Sequence, residues 1–307
     1  MSPDSILAGF AAAAVRAATP LAFAAAGELL VERAGVINIG IEGMMIVGAY
    51  AGYVAAHAAG QGAGLLAGAA GGAAMGLMFA ALVVGLRVQQ VIAGTALSML
   101  GLALTASLHR AHAAIIQTDS LPPVAITRVP LLADTPVIGP AFFAQPMATY
   151  LLYLLFPAIA WVFYRSVAGV ALRATGEAPM AVVAAGHSPA RIQALAIVAG
   201  GALAGTGGAI LSVVHAGTFV DGMTAGRGFV AVAIVALGRW TPIGVATSAL
   251  VFGAVSAVQY LAQSLGWRVP YTLVLAAPYA ITLVAMAAFR GHRPPPAQLG
   301  KPLRDGP

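Results

Sequence analysis

The sequence predicts an all-α integral membrane protein: a polytopic bundle of about 8–10 transmembrane helices, two of them broken. Three observations predict it. Only 8% of the 307 residues are charged while 60% are hydrophobic, and the mean hydropathy is +0.92. An average soluble domain carries about 25% charged residues, so 15 basic and 9 acidic side chains could not cover a soluble surface of this size. The charges leave long apolar runs between them, and two glycine-rich polar stretches, one per half, each lead into a short apolar segment.

About 20 helical residues cross roughly 30 Å of hydrocarbon. Ser5–Leu30 gives a first span, interrupted by Arg16 and Pro20. Its N-terminal side has no basic region, so it reads as a retained helix and not as a cleaved signal. The 44 uncharged residues from Gly43 to Leu86 hold two crossings, split at Gly60-Gln61-Gly62. One span each follows in Val88–His109, Thr135–Tyr164, Ile192–Val220, Trp240–Trp267 and Val269–Phe289. A further segment, Gly228–Gly238, is too short to cross alone. The runs lack period-2 alternation, which excludes a β-barrel, and lipid demands helices that satisfy their own backbone.

Basic residues orient the bundle. With the C-terminus inside, nine alternating segments put ten basic residues in inside loops and four (Arg110, Arg128, Arg227, Arg268) outside. The N-terminus then lies outside. Residues 1–289 form the transmembrane domain, 165–191 its long cytoplasmic loop, and 290–307 a disordered cytoplasmic tail. No cysteine is present, so there is no thiol nucleophile, disulfide or zinc-thiolate site. No pair of histidines has a metal-ligand setting, and no metal site is expected. His109 and His112 read as interfacial. The net charge of +6 forms no patch, so nucleic acid is not a partner.

The two broken segments are Met44–His57, after Gly35–Gly43, and Gly228–Gly238, after Gly217–Arg227. Paired glycine-interrupted segments point to a transport path. Apart from Arg16 the spans carry few ionisable groups, which argues against a proton pump or a voltage sensor. In the inside loop, Pro179 suits a first helical turn, Met180–Ala185 forms a short helix of small residues, and Gly186 stops it. Such a helix fits a groove on a partner, or simply connects two spans.

The run Gly176-Glu177-Ala178-Pro179, its small residues and Ala185-Gly186 resemble the coupling loop of bacterial ABC importer permeases of the branched-chain amino acid, simple sugar and nucleoside group. Asn38-Ile39-Gly40-Ile41-Glu42-Gly43-Met44 is most similar to the nucleoside (guanosine/uridine-type) subfamily. Met223–Phe229 and Gly238–Gly244 match its second half in the same order. The loop departs from the usual pattern at Ala178, Met180, His187 and Ser188. The resemblance implies a type II-like importer permease in the bacterial inner membrane that is itself no enzyme. It binds no cofactor; ATP and Mg belong to a separate cytoplasmic ABC ATPase, which Gly176, Glu177, Pro179, Ala185 and Gly186 would contact. It also implies a second, related permease as heterodimer partner and a substrate-binding lipoprotein or periplasmic protein. The chain has no phosphate-binding Gly-x-x-x-x-Gly-Lys-Ser/Thr loop, and its one lysine is Lys301.

Candidate path residues are Asn38, Glu42, Gln90, Thr95, Phe219, Thr224 and Phe229. Asn38 and Glu42 could bond a ribose or a base edge, or hold the break; equally, Glu42 could cap the start of its own helix and offset its dipole. Phe219 and Phe229 could stack on a base or simply pack. Gln90 and Thr95 could read a base or bond across helices. Asp221 and Arg227 could gate the outside or form a surface ion pair. The leading function is a nucleoside permease; a sugar or branched-chain amino acid permease, a stand-alone secondary carrier and a membrane scaffold are the alternatives.

Overall fold

The computed structural model describes residues 3–113, 120–264 and 294–301. The described helices are α1 (Pro3–Arg33), α2 (Ile41–Ala80), α3 (Gln90–Ala113), α4 (Met147–Arg165), α5 (Val167–Glu177), α6 (Pro179–Ala184), α7 (Pro189–Ala209), α8 (Arg227–Leu237) and α9 (Pro242–Ser264). π-helical turns extend α2 over Ala81–Gly85 and α7 over Ile210–Ala216. A two-stranded antiparallel hairpin, β1 (Ile126–Arg128) with β2 (Ala144–Pro146), precedes α4. The expected last span, 269–289, lies outside the described residues.

Among the described residues five helical stretches are long and apolar enough to cross a membrane. The longest, Ile41–Gly85, is not one crossing. At Ala59 (φ −141°) and Gly60 (φ +85°, ψ 172°) the chain leaves helical geometry and folds back, as the Gly60-Gln61-Gly62 punctuation predicts. The two arms run antiparallel in close contact. A Cβ placed on Gly64 would sit 2.7 Å from the Gly52 carbonyl oxygen, and one on Gly68 3.0 Å from that of Gly48.

These arms and α7 pack through rows of small residues spaced by four: Gly64, Gly68, Gly72 and Gly76 on one arm, and Gly201, Gly205 and Ala209 on α7. A Cβ on Gly205 would meet the Cα of Gly72 at 2.7 Å, and one on Gly201 would meet the Cα of Gly76 at 3.1 Å. Lipid tails are as apolar as leucine, so helices associate in a membrane through such close packing. The same device joins α1 to α9, where a Cβ on Gly253 would lie 2.7 Å from the Ala18 nitrogen. The core fills around it with Leu29, Met44, Met45, Phe79, Ile197, Ile234 and Phe252.

The connections sort into two ends. At one, Gln61 Nε2 donates to the Pro122 carbonyl (3.1 Å) and Leu121 N to the Gly217 carbonyl (2.7 Å). At the other, Arg33 Nε donates to the Trp240 carbonyl (2.9 Å), and Ile37 N to Gln90 Oε1 (2.8 Å). The loops that the basic residues assign to the inside thus gather at one end of the bundle, called the inner end after that assignment.

Two expectations need correction here. The 165–191 loop contains more helix than its spacing suggested: α5 is an eleven-residue helix, capped by Ser166 accepting from Gly169 N at 3.0 Å. The tail is not disordered throughout. Residues 294–301 form a turn packed on the inner end of the bundle, with Gln298 N donating to the Gly176 carbonyl (2.9 Å) and Gly300 N to that of Gly35 (3.2 Å).

Candidate functional site

The two glycine-rich stretches meet inside the bundle. After Arg33 the chain turns at Gly35 (φ +88°) and runs back along the end of α1 to α2. Asn38 N donates to Glu28 Oε1 at 3.2 Å, and Glu42 follows in the first turn of α2. From the opposite direction, 217–226 leads from the Leu121 end into α8, which starts after Gly226 in left-handed geometry (φ +82°). Glu42 joins the two. Its Oε1 accepts from Thr224 Oγ1 (2.6 Å) and Gly226 N (2.9 Å), and its Oε2 accepts from Gly228 N (2.7 Å).

The first amides of a helix have no internal partner and carry the positive end of its dipole. A carboxylate there is favoured twice, by charge and by hydrogen bonding. Glu42 is 4% exposed, a costly place for an unpaired charge; three donors account for it. The expectation that it caps its own helix is therefore corrected. The α2 N-cap, Gly40, receives no side-chain bond, and the helix that Glu42 caps is α8. In this conformation Glu42 also occupies the Gly226 and Gly228 amides of the second break.

Below this junction lies a polar cluster that the sequence reading did not single out. Glu28 and Glu32, one turn apart on α1, are both buried. Glu32 Oε2 accepts from Trp240 Nε1. Glu28 Oε2 and Asn38 Oδ1 are buried with no hydrogen-bond partner among the described residues, while Asn38 Nδ2 points at Met44 Sδ (3.5 Å). The signal was there: two carboxylates at i and i+4 on an apolar helix are suspect by their desolvation cost alone.

The remaining sequence candidates do not share one site. Gln90 is buried at the inner end; its Oε1 holds Ile37 N and its Nε2 reaches the Lys301 carbonyl (3.5 Å). Thr95 is exposed and bonds carbonyls of its own helix (Val91 and Ile92, both 3.0 Å). Phe229 is 45% exposed on α8. Phe219 is buried near the other end among Tyr50 (ring centroids 5.2 Å) and His109 (5.0 Å). His112 belongs to that cluster too, bonded to the Tyr50 hydroxyl and stacked on its ring, so these histidines pack within the protein. Arg227 Nη1 donates to the Met223 and Thr224 carbonyls (2.9 and 3.3 Å); among the described residues it makes no ion pair with Asp221.

A cavity of about 660 Å³ opens at the Leu121 end, its wall including Arg16, Ser120, Pro122, Pro146, His215 and Gly217. Small-molecule sites span about 300–1,000 Å³. Among the described residues the lining holds a guanidinium and an imidazole but no carboxylate. Among the described residues Arg16 makes no hydrogen bond or ion pair. None of the seven path candidates lines this cavity.

At the inner end α6 begins on Pro179 and stops before Gly186 (φ +78°), as its punctuation predicts. Met180 and Val183 are half-exposed on it. Gly176, closing α5, lies against Arg33 and Gly35: a Cβ there would come 3.2 Å from Gly35 N. Glu177 Oε1 pairs with Arg33 Nη1 at 3.8 Å. The end of α5, which leads into the short helix, is thus seated directly on the chain that leads to Glu42.

Comparison with known proteins agrees with this architecture. The chain is 32% identical over 300 residues to the guanosine ABC transporter permease protein NupQ of Bacillus subtilis, covering 94% of each. It is 38% identical over 266 residues to the putative glucose ABC transporter permease protein TsgC13 of Haloferax volcanii (85% of this chain, 80% of the relative). It is 30% identical over 283 residues to the nucleoside ABC transporter permease protein NupC of Lactococcus lactis subsp. cremoris, covering 89% of each. No solved structure matches the chain significantly. Members of this group are permease components and not enzymes. Residues 10–286 match the branched-chain amino acid transport system / permease component family, and the chain belongs to it as a multi-pass ABC transporter permease.

Proposed function

We propose that this permease carries nucleosides inward, sharing the translocation path with a second, related permease. A separate ATPase, which holds the ATP and Mg, drives it, and a substrate-binding lipoprotein or periplasmic protein delivers the solute. The observation that carries the reading is that relatives named for guanosine and for nucleosides each align with about nine-tenths of this chain. The Asn38–Met44 wording supports it. The Arg16 cavity fits it as well, since a donor-rich wall suits a neutral solute whose carbonyls and hydroxyls accept hydrogen bonds. A glucose permease at 38% identity supports a sugar as the second reading.

In this reading α6 docks on the ATPase, with Gly176, Glu177, Pro179, Ala185 and Gly186 at or behind the contact. Movement of α5 passes through Gly176 to 33–40 and so to Glu42. Release of the Glu42 bonds would free Thr224 Oγ1 and the amides of Gly226 and Gly228 for a passing solute. Asn38 and Gln90 hold the lead-in. Thr95 and Phe229 face outward, where a partner permease or lipid covers them, and Phe219 packs the Tyr50–His109 cluster near the Leu121 end.

The test is uptake by the complete complex in proteoliposomes, comparing labelled guanosine, uridine, ribose, glucose and leucine. Guanosine or uridine uptake is the expected result. Uptake of glucose, ribose or leucine without nucleoside uptake overturns the substrate and leaves the permease. Asn38→Leu should lower uptake more than assembly.

A further inference from the structure

Residues 294–301 touch both the end of α5 that leads into the docking helix and the chain at Gly35 that leads to Glu42. We propose that they form a coupling strap, which binds the ATPase-facing loop and the first glycine-rich break into one moving unit. Gln298 N donates to the Gly176 carbonyl at the end of α5 (2.9 Å), and Ala297 N to Glu177 Oε2 (3.3 Å). Gly300 N donates to the Gly35 carbonyl (3.2 Å), where the chain leaves α1. The Lys301 carbonyl accepts from Gln90 Nε2 (3.5 Å), and Gln90 in turn holds Ile37.

The strap is itself braced. Leu299 N donates to the Pro296 carbonyl (2.9 Å), Lys301 N to that of Gln298 (3.0 Å), and Lys301 Nζ to that of Ala297 (2.7 Å). Pro296 is buried.

The physical need for a strap follows from the joint it covers. Between Arg33 and Ile41 the chain has no helix to transmit a push. Among the described residues the end of α5 reaches it through backbone packing at Gly176 and the Arg33–Glu177 pair, and a half-exposed pair is worth at most about 1 kcal/mol. An extended segment of this kind would bend instead of moving Glu42. Backbone hydrogen bonds from one braced turn to Gly176 and Gly35 fix their separation, so displacement of α5 carries the lead-in with it.

The proposal rests on the ATPase-driven reading and is independent of which solute is carried. Its test uses the complete complex, with the best transported solute, and reads uptake per ATP hydrolysed. Ending the chain after Arg293 should leave ATP hydrolysis largely intact and lower uptake per ATP at least about tenfold. Wild-type coupling in that variant overturns the strap. If the shortened chain does not assemble, the pair Gly35→Cys and Gln298→Cys decides. A Cβ on Gly35 would lie 3.3 Å from that of Gln298, close to the 3.5–4.5 Å typical of disulfides, and the chain has no other cysteine. The disulfide should form in the membrane, and coupling should survive it, because the two sites move together. Gly35→Cys must take the left-handed backbone of Gly35 (φ +88°), which costs a residue with a side chain some stability, and the reduced double variant measures that cost. Relative to that variant, failure to cross-link, or uptake lost on oxidation and restored by reductant, overturns the proposal. A wild-type complex that transports sugar and no nucleoside refutes the substrate alone.

Discussion

The Glu42 carboxylate accepts the Gly228 amide proton at 2.7 Å across 186 residues of sequence. With Thr224 and Gly226 it makes the first turn of α2 the cap of α8. Removing it strands three donors inside the bundle. Each buried donor left unpaired costs about 1–3 kcal/mol. Glu42→Ala should therefore destabilise the protein by at least about 3 kcal/mol, and Thr224→Val by about 1 kcal/mol, read as lowered midpoints of thermal unfolding in detergent. Equal midpoints for Glu42→Ala and wild type would mean that water replaces the carboxylate there.

The Glu28 position should behave in the opposite sense. Only one of its oxygens has a partner, the Asn38 amide, and Glu32 lies one turn away. Glu28→Gln keeps an acceptor for that amide and replaces a buried carboxyl group that lies one turn from a second one. It should match or exceed wild-type stability. Glu28→Leu strands Asn38 N and should cost about 1–3 kcal/mol. A Gln variant as damaged as the Leu variant would show that the charge itself is needed.

What the sequence made legible has a physical pattern. Spans, the Gly60 turn and α6 are local matters: charge gaps, a glycine pair and a proline-to-glycine interval mark them. The partner of Glu42 carried no such mark, because glycine amides and a threonine some 182–186 residues away have no sequence signature as a cap. The partner of Glu28 has no local mark either, because the bond to Asn38 N forms only when the chain doubles back after Gly35. The four-residue spacing of Gly64 to Gly76 and of Gly201 to Ala209 marks a packing face, though not which helix it faces. The strap bonds mainly through backbone groups of a proline-rich segment, whose composition by itself suggests a loose tail.

Sidedness can be checked by labelling. Single cysteines at Gly60 and Ala133 should react with an impermeant maleimide from outside. Cysteines at Ala178 and Ala297, both exposed at the inner end, should react only after permeabilisation. Outside labelling at Ala178 would invert the bundle and separate α6 from any cytoplasmic partner.

Gly186 separates stability from coupling. Its φ is +78°, and a Cβ there would meet no atom of this chain within 4 Å. Gly186→Leu thus pays only the left-handed backbone cost of roughly 1–2 kcal/mol, and the complex should still assemble. If α6 seats in a groove of the ATPase, the added side chain obstructs that contact and substrate-stimulated ATP hydrolysis should fall at least about fivefold. Unchanged stimulation would reduce α6 to a connector.

Arg16 provides the sharpest test of what the outer cavity accepts. Its guanidinium offers five N–H donors and no acceptor, and among the described residues the cavity wall holds His215 but no carboxylate to pair with it. His215 also lies within electrostatic range of Arg227. A solute entering here meets a surplus of donors, so its acceptors decide how well it stays. Guanosine and uridine present ring carbonyls where adenosine and cytidine present amino groups. Arg16→Met keeps much of the side chain's apolar length and removes all five donors. It should raise the KM for guanosine and uridine about tenfold, the equivalent of one lost hydrogen bond to a charged group, about 1.5 kcal/mol or somewhat more. Arg16→Gln retains two donors and should fall between. Because a delivery protein could mask a change in KM, the companion measurement omits it: a single cysteine at Ala17, also on the cavity wall, is labelled in the purified complex with and without solute. Uridine should slow the labelling more than cytidine does, and Arg16→Met should erase that difference. Equal protection by both nucleosides in the wild-type background would show that the cavity wall does not read the base.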